Sequence, residues 1–273
     1  MEKYLAIHIA STDEIVMAHL AQLDFESFEE LDTSTIAYVP LSRWDESFSI
    51  SAIQIMHDFG VSYEVKELEP QNWNALWEAS FQPVIVNTFC QVRADFHPPQ
   101  TNIKHELVIN PKMAFGTGHH ATTHMMIEQM ASIDFGGKKV FDFGCGTGIL
   151  AILASKLGAS EVDALDIEHE SYLNTIENAQ INEVENVKAY EGEISKMGKT
   201  KFGIILANIN RNILQKYAVD LASKLHPDGI ILLSGILEED IITIVQSYAE
   251  NGLHVSSSIT KDGWGCVKFI KAK

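Results

Sequence analysis

The rhythm of apolar and polar positions changes partway along the chain. In LAIHI, Leu5, Ile7 and Ile9 alternate with their neighbours, the period-2 pattern of a half-buried strand. Ser11-Thr12-Asp13-Glu14 then supplies a cap and an acidic first turn for a helix bearing Ile15, Val16, Leu20 and Leu23. An apolar-poor stretch around Phe28–Leu31 gives a weak second strand, and TIAYVP a stronger third. ISAIQIMHDF has helical period and stops at Gly60 as C-cap, and VSYEVKEL alternates again as a strand. The order β-α-β-β-α-β predicts a small ferredoxin-like α+β domain over residues 1–69. Residues 70–83 read as a helical linker, with Trp73, Trp77 and Phe81 in one aromatic stripe that Pro83 ends. A packed linker helix accounts for that stripe more simply than an aromatic cage for a ligand.

From residue 84 to 273 the pattern is different. KKVFDF, EVDALDI, VKAY, FGIILANI and IILLSGI are near-continuous apolar runs separated by segments of helical period, which predicts a parallel sheet buried on both faces. HVSSSI and WGCVKFI, joined by the turn KDG, add an antiparallel end. The fold class is therefore α/β, a Rossmann-like, mostly parallel sheet behind a ferredoxin-like domain.

Composition narrows the setting. No run of roughly 18 apolar residues is present, and the N-terminus lacks the basic start and apolar stretch of a signal peptide. Cys90, Cys145 and Cys266 lie far apart and form no C-x-x-C pair, which argues against a disulfide framework and for a reducing, cytoplasmic setting. The net charge of −17 is unevenly shared. Residues 1–83 hold 3 Lys/Arg against 15 Asp/Glu, net −12, whereas residues 84–273 hold 17 against 22, net −5. Such a front end repels nucleic acid and attracts a basic protein partner, unless the acidity serves only solubility.

The chemistry concentrates in VFDFGCGTGILAILASKLGA, an apolar strand running into Gly144-Cys145-Gly146-Thr147-Gly148 and at once into a helix. Glycines are required where the backbone turns sharply and a ligand approaches without a Cβ in the way. The spacing G-x-G-x-G places Ile149 where the dinucleotide fingerprint G-x-G-x-x-G needs its third glycine, so a cofactor without a pyrophosphate fits better. Asp166 ends the strand EVDALDI, 22 residues after Gly144, where a carboxylate can accept both hydroxyls of a ribose. Asp163, three residues earlier, falls on the other face of the strand and reads as structural. Asn208 in LANIN ends a later strand beside the same crevice. It either accepts a hydrogen bond from an incoming amine or caps the next helix. MAFGTGHHATTHMM supplies a glycine-rich loop with Phe115, Gly116, Thr117 and Gly118, followed by Thr122 and Thr123. Its His119, His120 and His124 lack the spacing of a zinc site, and no metal is expected. Glu193, after VKAY, is either near a bound adenine or a surface carboxylate.

The stretches AFGTGHHATT, VFDFGCGTGILAILASKLGASEVDALDI, ILANI and LSGIL, in this order, resemble the bacterial PrmA family, the methyltransferases of large-subunit ribosomal protein eleven. The front domain resembles that family by pattern rather than by motif. The resemblance implies a substrate-recognition domain ahead of a class I methyltransferase domain that uses S-adenosyl-L-methionine. It implies methylation of lysine side chains and the N-terminal amine of a basic ribosomal protein free of the ribosome, without nucleic acid or membrane. It also implies cofactor contacts at Thr123, Gly144, Asp166 and Asn208, to which the loop and the glycine turn themselves add Phe115, Thr117, Gly146 and Gly148, with Asn208 also read as serving catalysis. The family often has Thr and Pro where this chain has His119 and Ala121. A methyltransferase for another protein, a small molecule or RNA, and a non-catalytic adenosine-ligand binding module, are the competing readings.

Overall fold

A computed structural model describes residues 3–68, 82–110, 116 and 118–273. The aromatic stripe Trp73, Trp77 and Phe81 lies outside the described residues, as do Phe115 and Thr117. The chain divides into two compact units, residues 1–80 and 81–273.

The first unit runs β1 (Tyr4–Ile9), α1 (Glu14–Leu20), β2 (Ser27–Glu30), β3 (Thr35–Pro40), α2 (Glu46–Asp58) and β4 (Tyr63–Leu68). Its antiparallel sheet has the order β2-β3-β1-β4, the ferredoxin-like arrangement. Leu5, Ile7, Ile9, Ala37 and Val39 pack with Val16 and Leu20 of α1 and Ala52 and Met56 of α2. Asp13 caps α1 by accepting the Ile15 N–H at 2.8 Å, and Asp45 caps α2 through the Phe48 N–H at 2.8 Å. At the far end of α2 the cap residue is Phe59, one earlier than the sequence suggests, and Gly60 follows at φ 65°, as a left-handed exit requires. The weak second strand is the exposed β2, held by its pairing with β3 rather than by side-chain burial.

The second unit opens with a feature the apolar pattern does not foretell. β5 (Val84–Val86), β6 (Cys90–Arg93) and β7 (His105–Val108) form a separate three-stranded sheet, with β6 and β7 parallel. These strands are three or four residues long, too short to establish a period. There follow α3 (Ala121–Met130), β8 (Lys139–Phe143), α4 (Ile149–Lys156), β9 (Glu161–Asp166), α5 (His169–Ile181), β10 (Val187–Glu191) and β11 (Phe202–Asn208). The chain ends with α6 (Arg211–Lys216), α7 (Ala218–Lys224), β12 (Leu225–Leu237), α8 (Ile241–Ala249), β13 (Leu253–Lys261) and β14 (Trp264–Lys271).

The large sheet has the order β10-β9-β8-β11-β12-β14-β13, and only β14 runs antiparallel to the other strands. Successive residues of one strand enter opposite cores. Val140, Val162, Ile204, Leu206 and Leu232 pack toward α3 and α4, while Phe141, Phe143, Ile205, Leu233 and Phe269 pack toward Leu214, Leu221 and Tyr248. This two-sided burial is why the strands read as continuous apolar runs. Truncating a fully buried ring such as Phe141 to alanine costs about 3–5 kcal/mol. From β8 the chain moves outward through β9 and β10, then crosses to β11 on the other side of β8. The carboxyl ends of β8 and β11 therefore flank a topological switch point, where such sheets leave a crevice.

Candidate active site

The glycine turn sits at the end of β8. Gly144, Gly146 and Gly148 adopt φ of 78°, 55° and 78°, values that side chains disfavour. Space excludes a side chain as well: a Cβ on Gly144 would lie 2.3 Å from Ile209 Cγ2, and one on Gly148 would lie 2.9 Å from Thr175 Cγ2. The Gly144 N–H donates to the Leu165 carbonyl at 2.8 Å, tying the turn to β9. At the end of β9, Asp166 Oδ2 accepts the Gly146 N–H at 2.9 Å, and Oδ1 accepts the Glu168 N–H at 3.0 Å. Each oxygen has a further lone pair, so the carboxylate is oriented and still able to accept ribose hydroxyls. Asp163 does face the other way, 3.1 Å from Lys139 Nζ and accepting from the Tyr190 hydroxyl.

Two residues before the turn, Asp142 is fully buried and accepts the Ala151 N–H at 3.0 Å. Burial pushes its carboxyl up to about 7, with the Asp166 charge adding to the effect and the Ala151 bond opposing it. Burial likewise holds the Cys145 thiol well above its ordinary value, so it is an uncharged packing group rather than a nucleophile.

Asn208 ends β11 across the crevice. Its Nδ2 donates to Thr123 Oγ1 at 3.1 Å, which orients the amide, while the buried Oδ1 has no partner. The helix-cap role belongs instead to Asn210, whose Oδ1 accepts the Ile213 N–H at 3.1 Å. Thr123 is fully buried on α3 and meets Asn208 without lining the cavity, whereas its neighbour Thr122 does line it. That helix is capped by His120, which accepts the Thr122 N–H and stands edge-on to Trp264 with ring centres 4.8 Å apart. His119 bonds the Gln82 carbonyl oxygen at 2.7 Å. Among the described residues no group of three or more His, Cys, Asp or Glu could hold a metal ion.

A cavity of about 900 Å³ joins these parts, lined by Gly144, Gly146, Asp166, Glu193 and Asn208 among others. Gly148 is not in its wall; it starts α4 and backs onto Thr175. The sequence reading missed three further lining residues, Ile213, Tyr217 and Trp264. It also missed Gly235, at φ 85°, where a Cβ would lie 2.4 Å from the Ile209 carbonyl oxygen. A glycine inside the apolar run IILLSGIL was the available signal, since glycine in a central strand marks close backbone approach. Tyr217 and Trp264 gave none, because an isolated aromatic reads equally well as core.

The site fits S-adenosylmethionine on its own chemistry: a turn cleared of Cβ atoms, a carboxylate oriented at the next strand end, and an unpartnered buried acceptor across the crevice. Together with the single reversed strand β14 of the sheet, these features define a class I S-adenosylmethionine-dependent methyltransferase.

The family model described as Ribosomal protein L11 methyltransferase (PrmA) matches residues 6–272, and the chain belongs to that family. It is similar to the ribosomal protein L11 methyltransferases of Porphyromonas gingivalis and Phocaeicola vulgatus. The first is 41% identical over 94% of this chain and 90% of the relative, the second 37% over 95% and 94%. Among solved structures, a ribosomal protein L11 methylase from Lactobacillus delbrueckii subsp. bulgaricus is similar with a TM-score of 0.63 and 28% identity. The match covers 71% of this chain and all of the other.

Proposed function

We propose that this chain transfers methyl groups from S-adenosylmethionine to amines of ribosomal protein L11, its lysine side chains and N-terminal amine, before that protein joins the ribosome. The observation that carries this reading is the Asn208 Oδ1, buried in the crevice, oriented through Thr123 and without a partner. A buried acceptor left unsatisfied is costly, and an amine N–H is the donor it suits.

In this reading Gly144 and Gly146 make room for the cofactor and Asp166 accepts its ribose hydroxyls. The glycine-rich loop of the sequence adds Phe115 and Thr117. The cofactor supplies an electrophilic sulfonium methyl, so the residues of this chain have to orient and desolvate the amine rather than activate the donor. A free lysine has a pKa near ~10.4. The walls at Ile213, Tyr217 and Trp264 penalise the ammonium form and favour the neutral amine with its lone pair exposed. The amine gives up its proton to water on entry. Asn208 Oδ1 then accepts one remaining N–H and sets the direction of the lone pair.

Residues 1–69 serve as the substrate-recognition domain in this reading. Their acidity suits a lysine-rich partner and disfavours RNA. Among the described residues no helix is long and apolar enough to cross a membrane, and a cytoplasmic location follows from the proposed substrate.

The test is to incubate the purified chain with S-adenosylmethionine and recombinant L11 and to map added methyls by intact-mass and peptide analysis. Methylated lysines and N-terminus, formed more slowly as salt rises, are the expected result. Methylation of some other protein in an extract with L11 left untouched would overturn the substrate. Cofactor binding with no transfer to anything would leave a binding module.

A further inference from the structure

Helix α5 touches two separate pieces of backbone with side-chain amides. Asn174 and Asn178, with Asn182 at the C-cap, recur at every fourth position, so they share one face, and all three are buried. The Asn182 amide pairs with both backbone groups of Val108, accepting its N–H at 3.0 Å and donating to its carbonyl at 2.6 Å. One turn earlier, Asn178 Oδ1 accepts the Asn110 N–H at 3.1 Å. Asn174 Nδ2 donates to the Asn110 carbonyl at 3.1 Å. Val108 and Asn110 are alternate residues along the edge of the small sheet, and the three amides stand in for the strand that would otherwise pair there.

Asn178 does something more. Its Nδ2 donates to the Thr147 carbonyl at 2.9 Å, inside the glycine turn. Thr175, on the same helix, donates to the Gly146 carbonyl at 3.0 Å. The two carbonyls in the middle of the turn are thus both held by α5, while the Gly146 N–H is held by Asp166. Thr147 in turn donates through its hydroxyl to the Gly116 carbonyl at 2.6 Å. A turn with three glycines has many accessible peptide orientations, because glycine tolerates both signs of φ. Outside bonds must therefore select one, and for Gly146 and Thr147 those bonds come from Thr175 and Asn178.

We propose that Asn178 and Thr175 are positioning residues for the cofactor, holding the glycine turn in its binding-competent orientation, with Asn178 also tying it to the chain at Asn110. The proposal rests on the assignment of the cofactor to the glycine turn. Asn182 is the internal control, since it shares the helix face, the burial and the strand edge but bonds Val108 and its own helix rather than the turn.

The experiment is calorimetric titration of the full chain with S-adenosylmethionine, with thermal midpoints and saturating-cofactor kcat measured on the same variants. Asn178→Ala and Thr175→Val should each weaken cofactor affinity about tenfold, each removing the bond that holds one carbonyl of the turn, with kcat within about twofold. Thr175→Ser, which keeps the hydroxyl, should restore affinity to within about threefold of the parent. Asn182→Ala should lower the thermal midpoint as Asn178→Ala does, yet leave affinity within about twofold. Equal loss of affinity in Asn178→Ala and Asn182→Ala, or unchanged affinity in Thr175→Val, would overturn the proposal. Asp166→Ala serves as the reference: if it binds cofactor normally, the assignment of the turn falls and takes this inference with it. If it binds weakly while the α5 variants bind normally, only the positioning role fails.

Discussion

The two units of this chain use their sheets in opposite ways. In the first, the buried apolar residues pack on one face of a four-stranded sheet against two helices, and the strands β2 and β4 are exposed along their length. In the second, apolar clusters cover both faces of a seven-stranded sheet, so neighbouring residues of one strand are locked from opposite sides. A strand clamped on both faces delivers its last residue to a fixed place. Gly144, Asp166 and Asn208 each stand at or just beyond the end of such a strand, which is what a reaction requiring sub-ångström alignment needs. The one-sided acidic sheet of the first unit is poorly suited to that task and well suited to meeting a basic protein.

This contrast can be sharpened or broken by substitution. The largest effect should come from Asn208→Ala. Single-turnover methyl transfer should slow by about 10²–10³, while cofactor affinity changes little, because the proposed contact of Asn208 is with the amine. An unchanged rate would reduce Asn208 to a partner of Thr123. Next comes Asp166→Ala, which removes the acceptor for Gly146 and Glu168 together with the proposed ribose contact. Its affinity for S-adenosylmethionine should fall by about 10² by calorimetry, with the melting of the first unit unaffected.

The smallest effect concerns Asp142. Because its folded pKa is raised to about 7 from 3.8, its contribution to stability is fully present below the ordinary carboxyl pKa and is lost as pH rises toward 7. Asp142→Asn should flatten that slope and gain about 1 kcal/mol at pH 8, the extra amide N–H offsetting part of the benefit. Denaturant melts at pH 5 and pH 8 would show it. A variant with the same pH dependence as the parent would mean that Asp142 is ionised in the fold.

Much of the second unit was legible in the sequence because its physics is local. Two-sided burial writes continuous apolar runs, and the glycine turn writes three glycines where φ is positive. Asp166 and Asn208 could be picked out as residues of the crevice because they end strands at a switch point. What stayed hidden depends on contacts between distant segments. Trp264 meets His120 across the fold, Tyr217 and Ile213 line the cavity that Asn208 also lines, and the amides along α5 find the edge of β7. The strands of the small sheet are too short to carry a period, and the wall of aromatic residues has no spacing of its own. In the first unit β2 was faint for the reason it is exposed: backbone pairing holds it, and backbone pairing leaves no mark on side-chain identity.

The central claim is that the two units divide the work, the second holding a complete cofactor site and the first selecting the substrate. The most direct measurement compares the whole chain with the fragment 71–273 in two assays, calorimetric binding of S-adenosylmethionine and methyl transfer to L11. The account predicts that the fragment binds cofactor with the affinity of the whole chain and methylates L11 with a kcat/KM lower by about 10². A fragment that methylates L11 at the full rate would contradict it.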